Sequence, residues 1–254
     1  MRAGGASLLP EVARHVDVSV AQKLPLDASL QVTVFARSER DVLWTPEAEP
    51  RRLSGGGLRL GRGDAPWING LDGDARGVEL VFRRDAPAGL SGWAAYAHNR
   101  LEYTDVTTGA RFPSDVEQRH AVSLFGHYRV SNRSTVGAKF RYGSNYPRVG
   151  YFAAQEPPPG TPRLLGDSGV PLFIVLSDSR NGLRLPAYAR LDLRADRAFV
   201  WGGRRLTLFV EVANVLNRRN VRNVPYGFDR TGRVFGGTDS MLPVLPSAGF
   251  VVDF

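Results

Sequence analysis

The sequence predicts an all-β protein, an antiparallel up-and-down transmembrane β-barrel region of about nine strands. Three observations carry that expectation. Apolar side chains recur at every second position, in stretches long enough for the roughly 9–11 residues of a tilted membrane strand. The connections between these stretches alternate between short and long. The final stretch places Ala248, Phe250, Val252 and Phe254 on one face, with Gly249, Val251 and Asp253 between them. A period of two sends alternate residues to opposite faces, and a bare apolar face that closes on an aromatic suits a strand facing lipid.

The strands follow in order. The first sets Val16, Val18 and Val20 against His15, Asp17 and Ser19. In the second, Leu30, Val32, Val34 and Ala36 oppose Gln31, Thr33, Phe35 and Arg37, and in the third Val78, Leu80 and Phe82 oppose Glu79, Val81 and Arg83. The fourth, near Ser91 to Tyr103, leaves its face open because Ala and aromatic residues occupy both parities. Val122, Leu124, Tyr128 and Val130 mark the fifth, and Val136, Ala138, Phe140 and Tyr142 oppose Lys139 and Arg141 in the sixth. The seventh alternates Ala189, Leu191, Leu193 and Ala195 with Arg190, Asp192, Arg194 and Asp196, and the eighth sets Leu206, Leu208, Val210 and Val212 against Glu211. Leu191, Leu193, Leu206, Leu208, Val210 and Phe140 are therefore predicted to face lipid. Arg190, Asp192, Arg194, Glu211, Lys139 and Arg141 are predicted to face the lumen.

Short connections follow the odd strands, at Lys23 to Asp27, Asp85 to Gly89, Ser131 to Arg133 and Trp201 to Gly203. Long ones follow the even strands, at Thr45 to Asp74, Asp105 to Asp115, Arg148 to Leu183 and Arg218 to Met241. Outer-membrane barrels put short turns at the periplasmic end and long loops outside, whereas a sandwich has no reason to sort loop length by end. The odd strand number points the same way. Single-chain bacterial barrels are even-stranded, so the region is expected to be the later part of a larger barrel.

Composition is compatible with this. The charged fraction is 23% and the mean hydropathy −0.22, values that a barrel reaches by pairing an apolar face with a polar lumen. No stretch approaches the roughly 18 apolar residues of a spanning helix, and the longest run, Val170 to Leu176, is broken by Pro171. Absence of cysteine removes disulfides and thiolate sites. The start, Met1-Arg2-Ala3-Gly4-Gly5, has no apolar export core, which leaves a cytoplasmic protein or the back part of a longer one, and the strand pattern favours the second. The net charge of +8 and pI near 10.3 raise nucleic-acid binding. The basic residues are spread singly, however, with no basic helix or zinc pattern, and nucleic acid is not an expected partner.

Several segments together resemble the C-terminal barrel region of TonB-dependent outer-membrane receptors. They are Leu185-Pro186-Ala187-Tyr188-Ala189-Arg190-Leu191-Asp192-Leu193-Arg194, then Leu206 to Val212, then Asn214-Val215-Leu216-Asn217. Ala75-Arg76-Gly77-Val78-Glu79-Leu80, Glu117-Gln118-Arg119-His120 and Arg141-Tyr142-Gly143-Ser144-Asn145-Tyr146-Pro147 add to the likeness, which covers residues 1–254. The resemblance implies a barrel of about 22 strands around an N-terminal plug, TonB-dependent uptake of a scarce ligand such as a metal chelate, vitamin or glycan, and residence in the bacterial outer membrane. It implies as partners outer-membrane lipid, an unknown small ligand, and the barrel-assembly machinery, with Phe254, Val252 and Phe250 as its signal. The energy-transducing TonB complex would act only through an N-terminal part that this chain lacks, so the region is expected to be incomplete alone. A passive pore or a non-functional truncated product is the alternative.

Other motifs point to no chemistry. Arg62-Gly63-Asp64 and the Gly55 to Gly63 stretch read as a surface loop, and Asn132-Arg133-Ser134 as a tight turn. His15, His98, His120 and His127 lack metal-site spacing; His15 and His127 are expected in the lumen. The charges of Asp192 with Arg190 and Arg194, and of Asp196 with Arg197, are read as mutual neutralisation, not acid–base machinery. No catalytic residue, cofactor or metal is expected. Trp44, Tyr103, Tyr146, Trp201 and Phe254 are expected in interfacial girdles, and Trp67, Tyr151, Phe152 and Tyr226 are candidate ligand contacts.

Overall fold

The computed structural model describes residues 7–86, 88–155 and 173–253. Its strands, in chain order, are β1 (Val12–Leu24), β2 (Ala28–Trp44), β3 (Arg51–Arg52), β4 (Leu58–Arg59), β5 (Ile68–Arg84), β6 (Leu90–Asp105), β7 (Arg111–Pro113) and β8 (His120–Ser131). They continue with β9 (Ser134–Gly143), β10 (Phe152–Gln155), β11 (Phe173–Leu176), β12 (Tyr188–Trp201), β13 (Arg204–Ala213), β14 (Val221–Phe228), β15 (Arg233–Ser240) and β16 (Leu245–Asp253). The nine predicted strands are the nine long ones, paired antiparallel in the order β1-β2-β5-β6-β8-β9-β12-β13-β16. Each is joined to its spatial neighbour, as an up-and-down sheet requires. Several run well past their periodic centres, because the pairing continues where the alternation fades.

The short turns carry the backbone chemistry that tight reversals need. Between β12 and β13 the two-residue loop is Gly202-Gly203, with φ of 58° and 75°, the left-handed pair that matches strand twist in a two-residue hairpin. Asn132 and Arg133 fill the β8–β9 turn as predicted.

Register joins the strand faces into two continuous surfaces. On one, Val18 lies opposite Val34, Val34 opposite Val78, and Leu80 opposite Tyr96. The row continues with Tyr96 opposite Val122, Leu124 opposite Phe140, Phe140 opposite Leu191, Leu193 opposite Val212, and Leu208 opposite Phe250. The fourth predicted strand, ambiguous by parity alone, is settled by its neighbours: Ala94, Tyr96 and His98 belong to the apolar face. On the opposite face Lys139 lies across from Asp192, Arg141 from Arg190, and Arg194 from Glu211.

The buried core does not lie against the middle of this sheet. Val18 is 60% exposed, Leu193 42%, Leu208 44% and Phe250 69%, and no helix covers them among the described residues. The buried apolar residues gather in the long connections and at the strand ends that meet them, so the connections are not the plain loops the sequence suggests. Phe152, Ile174, Leu176, Leu183 and Val234 form one cluster under a small sheet ordered β10-β11-β15-β14. Trp44, Leu71 and Phe112 form a second, with Val42 and Tyr103 against it. The predicted girdle role of Trp44 and Tyr103 gives way here: Trp44 is 7% exposed, and Tyr103 packs on Phe112 and donates to Glu39. Tyr146 is exposed. The Trp201 side chain and Phe254 lie outside what is described.

Candidate functional site: a cap of four connections over the sheet

All four long connections converge at one end of the sheet, and arginines tie them together. Arg180, in the third, donates from Nε to Glu49 in the first at 2.8 Å and from Nη1 to Asp115 in the second at 2.7 Å. Burial alone would lower the Arg180 pKa, but the hydrogen bonds and charges of Glu49 and Asp115 outweigh it and raise it. Its guanidinium also lies 5.1 Å from the Phe112 ring centroid and 5.8 Å from that of Trp44, a cation–π seat. Asn181, beside it, donates to Pro113 O and Asp115 and accepts from the Gly150 N–H. Arg184 bonds Glu117 and donates to the carbonyls of Glu117 and Asn145. Glu117 is fully buried, so this pairing is what makes its burial tolerable.

The fourth connection is held by Arg148. Its guanidinium lies 4.5 Å from the Phe152 ring centroid and 5.1 Å from that of Tyr226, and donates to Asn223 and to the Gly237 carbonyl. Gly237 has φ of 86°, and a Cβ there would collide with that guanidinium, so glycine is required for the contact. Burial lowers the Arg148 pKa and raises that of Tyr226, the latter opposed by the Arg148 charge. Arg52 closes the ring by donating to Thr231 O at 2.6 Å, and Arg51 by donating to the Tyr151 hydroxyl at 2.8 Å. The Tyr151 pKa is raised by burial, with Arg51 pulling the other way.

These contacts revise the candidate ligand residues. Tyr151 and Phe152 are 5% and 1% exposed and belong to the core of the cap, whereas Trp67 and Tyr226 stay accessible at 37% and 39%. Arg62 folds back on Asp64 and Glu47, and the hydrogen bond from Arg62 holds the Asp64 carboxyl below its usual range. The cap arginines were missed from sequence because they sit in Gly- and Pro-containing stretches with no repeating interval, and their partners lie up to 179 residues away.

Beneath the cap, the polar face carries the predicted charge ladder. Arg190 pairs with Asp192 at 2.6 Å, Asp192 accepts from the Asn214 N–H, and Arg194 pairs with Asp196 at 2.8 Å and Glu211 at 3.3 Å. Arg197 does not join Asp196. Neighbouring residues point to opposite faces, and Arg197 lies over Phe199 instead. His15 sits on the polar face, 3.4 Å from Asp17 and stacked on Phe35. His98 and His120, scattered in sequence, are brought together with ring centroids 5.0 Å apart, and the Tyr96 hydroxyl meets His120 Nδ1 at 2.9 Å. No group of three or more metal-binding side chains forms among the described residues.

No family model and no curated protein sequence matches the chain. Solved structures do. One is the ferric-catecholate import receptor Fiu from Escherichia coli K12, at TM-score 0.54 and 14% identity over 99% of this chain and 30% of that one. Another is the FrpB iron transporter from Neisseria meningitidis, at TM-score 0.50 and 14% identity over 98% of this chain and 33% of that one. The fold of this chain matches a segment of the barrels of these receptors. This segment spans about a third of the length of the receptors it matches. The nine-strand path with a structured cap at one end is thus a receptor-barrel architecture, while identity this low speaks for fold alone.

Proposed function

We propose that the segment forms the later part of an outer-membrane receptor barrel, with the apolar face against lipid, the polar face lining the lumen, and the cap facing outside. The observation that carries this is the continuous apolar surface across nine paired strands with nothing packed on it among the described residues. Monomeric soluble proteins rarely leave such a patch bare. Its height fits as well. On β5 the apolar parity runs from Arg76 to Arg84, about 27 Å along a strand at ~3.4 Å per residue and about 20 Å after tilting. Arginine stems that reach outward from both ends bring this near the ~25 Å apolar band of such barrels.

Closure requires more strands. With nine strands in sequence, β1 and β16 run parallel, so they cannot complete an antiparallel ladder with each other. Open edges are not stable in hydrocarbon. The segment, residues 1–254, would therefore work with further strands and a plug, through which the TonB complex acts. Ligand uptake is the function of that whole, and the exposed Trp67 and Tyr226 are its candidate contacts here. The matched receptors import iron, one of them as ferric catecholate, which makes an iron chelate the first ligand to try. Phe250, Val252 and Phe254 would serve the barrel-assembly machinery.

The test is folding in different solvents. Alone in aqueous buffer, the chain is expected to aggregate, and joined to closing strands in detergent it should give heat-modifiable migration on a gel. A monodisperse, folded monomer in buffer without detergent would overturn the membrane reading.

A further inference from the structure

Just beyond the apolar band, on the same parity, the sheet carries a depression of about 400 Å3 edged by Arg14, Arg76, Arg100 and Arg111 with Asp74 and Glu102. Register puts these side chains together: Ser38 faces both Arg14 and Asp74, Arg76 faces Arg100, and Asp74 faces Glu102. Arg37 also borders it, but parity turns that side chain to the polar face, where Glu39 holds it. Of the four arginines on this side, Arg100 is paired with Glu102 at 2.9 Å. Arg14, Arg76 and Arg111 are exposed and have no side-chain partner among the described residues. In the cap, Arg148, Arg180 and Arg184 each find partners, as do Arg190 and Arg194 on the polar face. Three unpaired arginines gathered in one depression beside the apolar band concentrate positive charge where an anionic partner would be held.

We infer that this depression binds the phosphate groups of an anionic lipid headgroup in the outer leaflet, an inference that rests on the apolar face meeting lipid. The position selects the source. The next residues down the same rows are Val16, Ala36, Val78 and His98, so acyl chains descending from a headgroup seated among the arginines would run along the apolar face. Guanidinium groups bind phosphate through paired, charge-assisted hydrogen bonds, and four guanidiniums against two carboxylates leave the site cationic. Arginine at the edge of a membrane band also reaches the interface at little cost. A free anion in bulk solution would gain nothing from the adjoining apolar rows.

The experiment uses the protein as its cells insert it, extracted in a mild non-ionic detergent and exchanged into bicelles. The probes are bicelles of phosphatidylcholine with and without phosphatidylglycerol, and inorganic phosphate at matched phosphate concentration, with bound lipid counted by native mass spectrometry. Phosphatidylglycerol should be retained over phosphatidylcholine. The triple variant Arg14→Gln, Arg76→Gln, Arg100→Gln should lose that preference at least tenfold, while Arg83→Gln, Arg141→Gln, Arg205→Gln, equal in charge but on the polar face, should keep it. Inorganic phosphate should compete only weakly. Equal loss in both triples, or no loss in either, overturns the site, and full competition by inorganic phosphate overturns the lipid as its occupant. Should the first triple fold poorly, Arg76→Lys is the second variant: it keeps the charge but not the fork and should weaken retention by less than half the loss of Arg76→Gln. Brominated acyl chains separate the two readings, since quenching of a Leu208→Trp reporter tests lipid on the apolar face irrespective of the arginines.

Discussion

The cap and the long sheet are built on opposite plans. In the cap, made from what sequence presents as loops, Phe152 and Leu176 are almost wholly buried and charged side chains are paired across connections. In the sheet, the regular part of the molecule, the largest apolar residues are exposed and the interior of each strand pair is only backbone. Loops ordinarily run over a surface with little packing of their own. Here the connections and the strand ends beside them hold a core and the middles of the strands do not, which is reasonable only if those spans find their apolar surroundings outside the chain. The cap would then be held by the hydrophobic effect in water, worth about 1.5–3 kcal/mol per fully buried large apolar side chain, and the sheet by its hydrogen-bond ladder in a medium that offers no other partner.

The sharpest way to separate the two is to damage the cap's core. Phe152→Ala removes the ring that packs edge-on to Tyr226 at 5.1 Å and beneath the Arg148 guanidinium. A loss of about 3–5 kcal/mol in local stability is expected from the cavity, seen as faster proteolysis of the third and fourth long connections in the closed barrel. Heat-modifiable migration should persist, because the strands do not share that core. Collapse of both together would show that cap and sheet are one cooperative unit.

The next largest effect belongs to the sheet's apolar face. Leu193→Arg or Leu208→Arg should cost about 2–4 kcal/mol if those sites lie near the bilayer midplane, and Thr207→Arg, one residue from Leu208 but on the polar face, should be tolerated far better. Refolding into lipid vesicles across a urea series gives the numbers. Equal penalties at Leu208 and Thr207 would erase the distinction between the faces and with it the reason for the bare sheet.

The same division explains what could be read from sequence. Leu191, Asp192, Leu193 and Arg194 reveal strand, face and partner chemistry at once, because a period of two is a local property. Nine strands, their order and their alternating turn lengths follow from such local signals. Strand β6 resisted, since its small and aromatic residues suit either face, and only the pairing with β5 and β8 decides it. The cap was illegible for a different reason. Its defining contacts, Arg180 with Glu49 and Arg148 with Gly237, join residues far apart in sequence and repeat at no interval. Tyr151 and Phe152 look like surface aromatics in a loop until a second small sheet closes over them. The arginine depression was hidden similarly: Arg14, Arg76 and Arg100 lie on three separate strands, and adjacency comes only from register.

The smallest expected effect compares one ion pair from each region. Arg194 and Glu211 face each other across β12 and β13 at 3.3 Å, with side chains 42% and 35% exposed, and Arg194 divides its bonding with Asp196. Water screens such a pair, and side-chain ordering offsets most of the attraction, so a double-mutant cycle with Arg194→Met and Glu211→Gln should give a coupling of about 0–1 kcal/mol. Arg180 and Glu49 differ in setting, not in kind: Arg180 is 5% exposed, donates twice to Glu49 at 2.8 Å, and lies against two aromatic rings. Hydrogen bonds to charged groups in such surroundings contribute roughly 1.5–3 kcal/mol, and the cycle with Arg180→Met and Glu49→Gln should fall in that range. Salt should discriminate further, because screening acts on the exposed pair and much less on the enclosed one. Raising ionic strength from low to about 1 M, where the Debye length is near 3 Å, should remove the Arg194–Glu211 coupling and leave most of that at Arg180. If both couplings vanish together, the cap is as open to water as the polar face, and the contrast between a packed cap and a bare sheet fails at its weakest point.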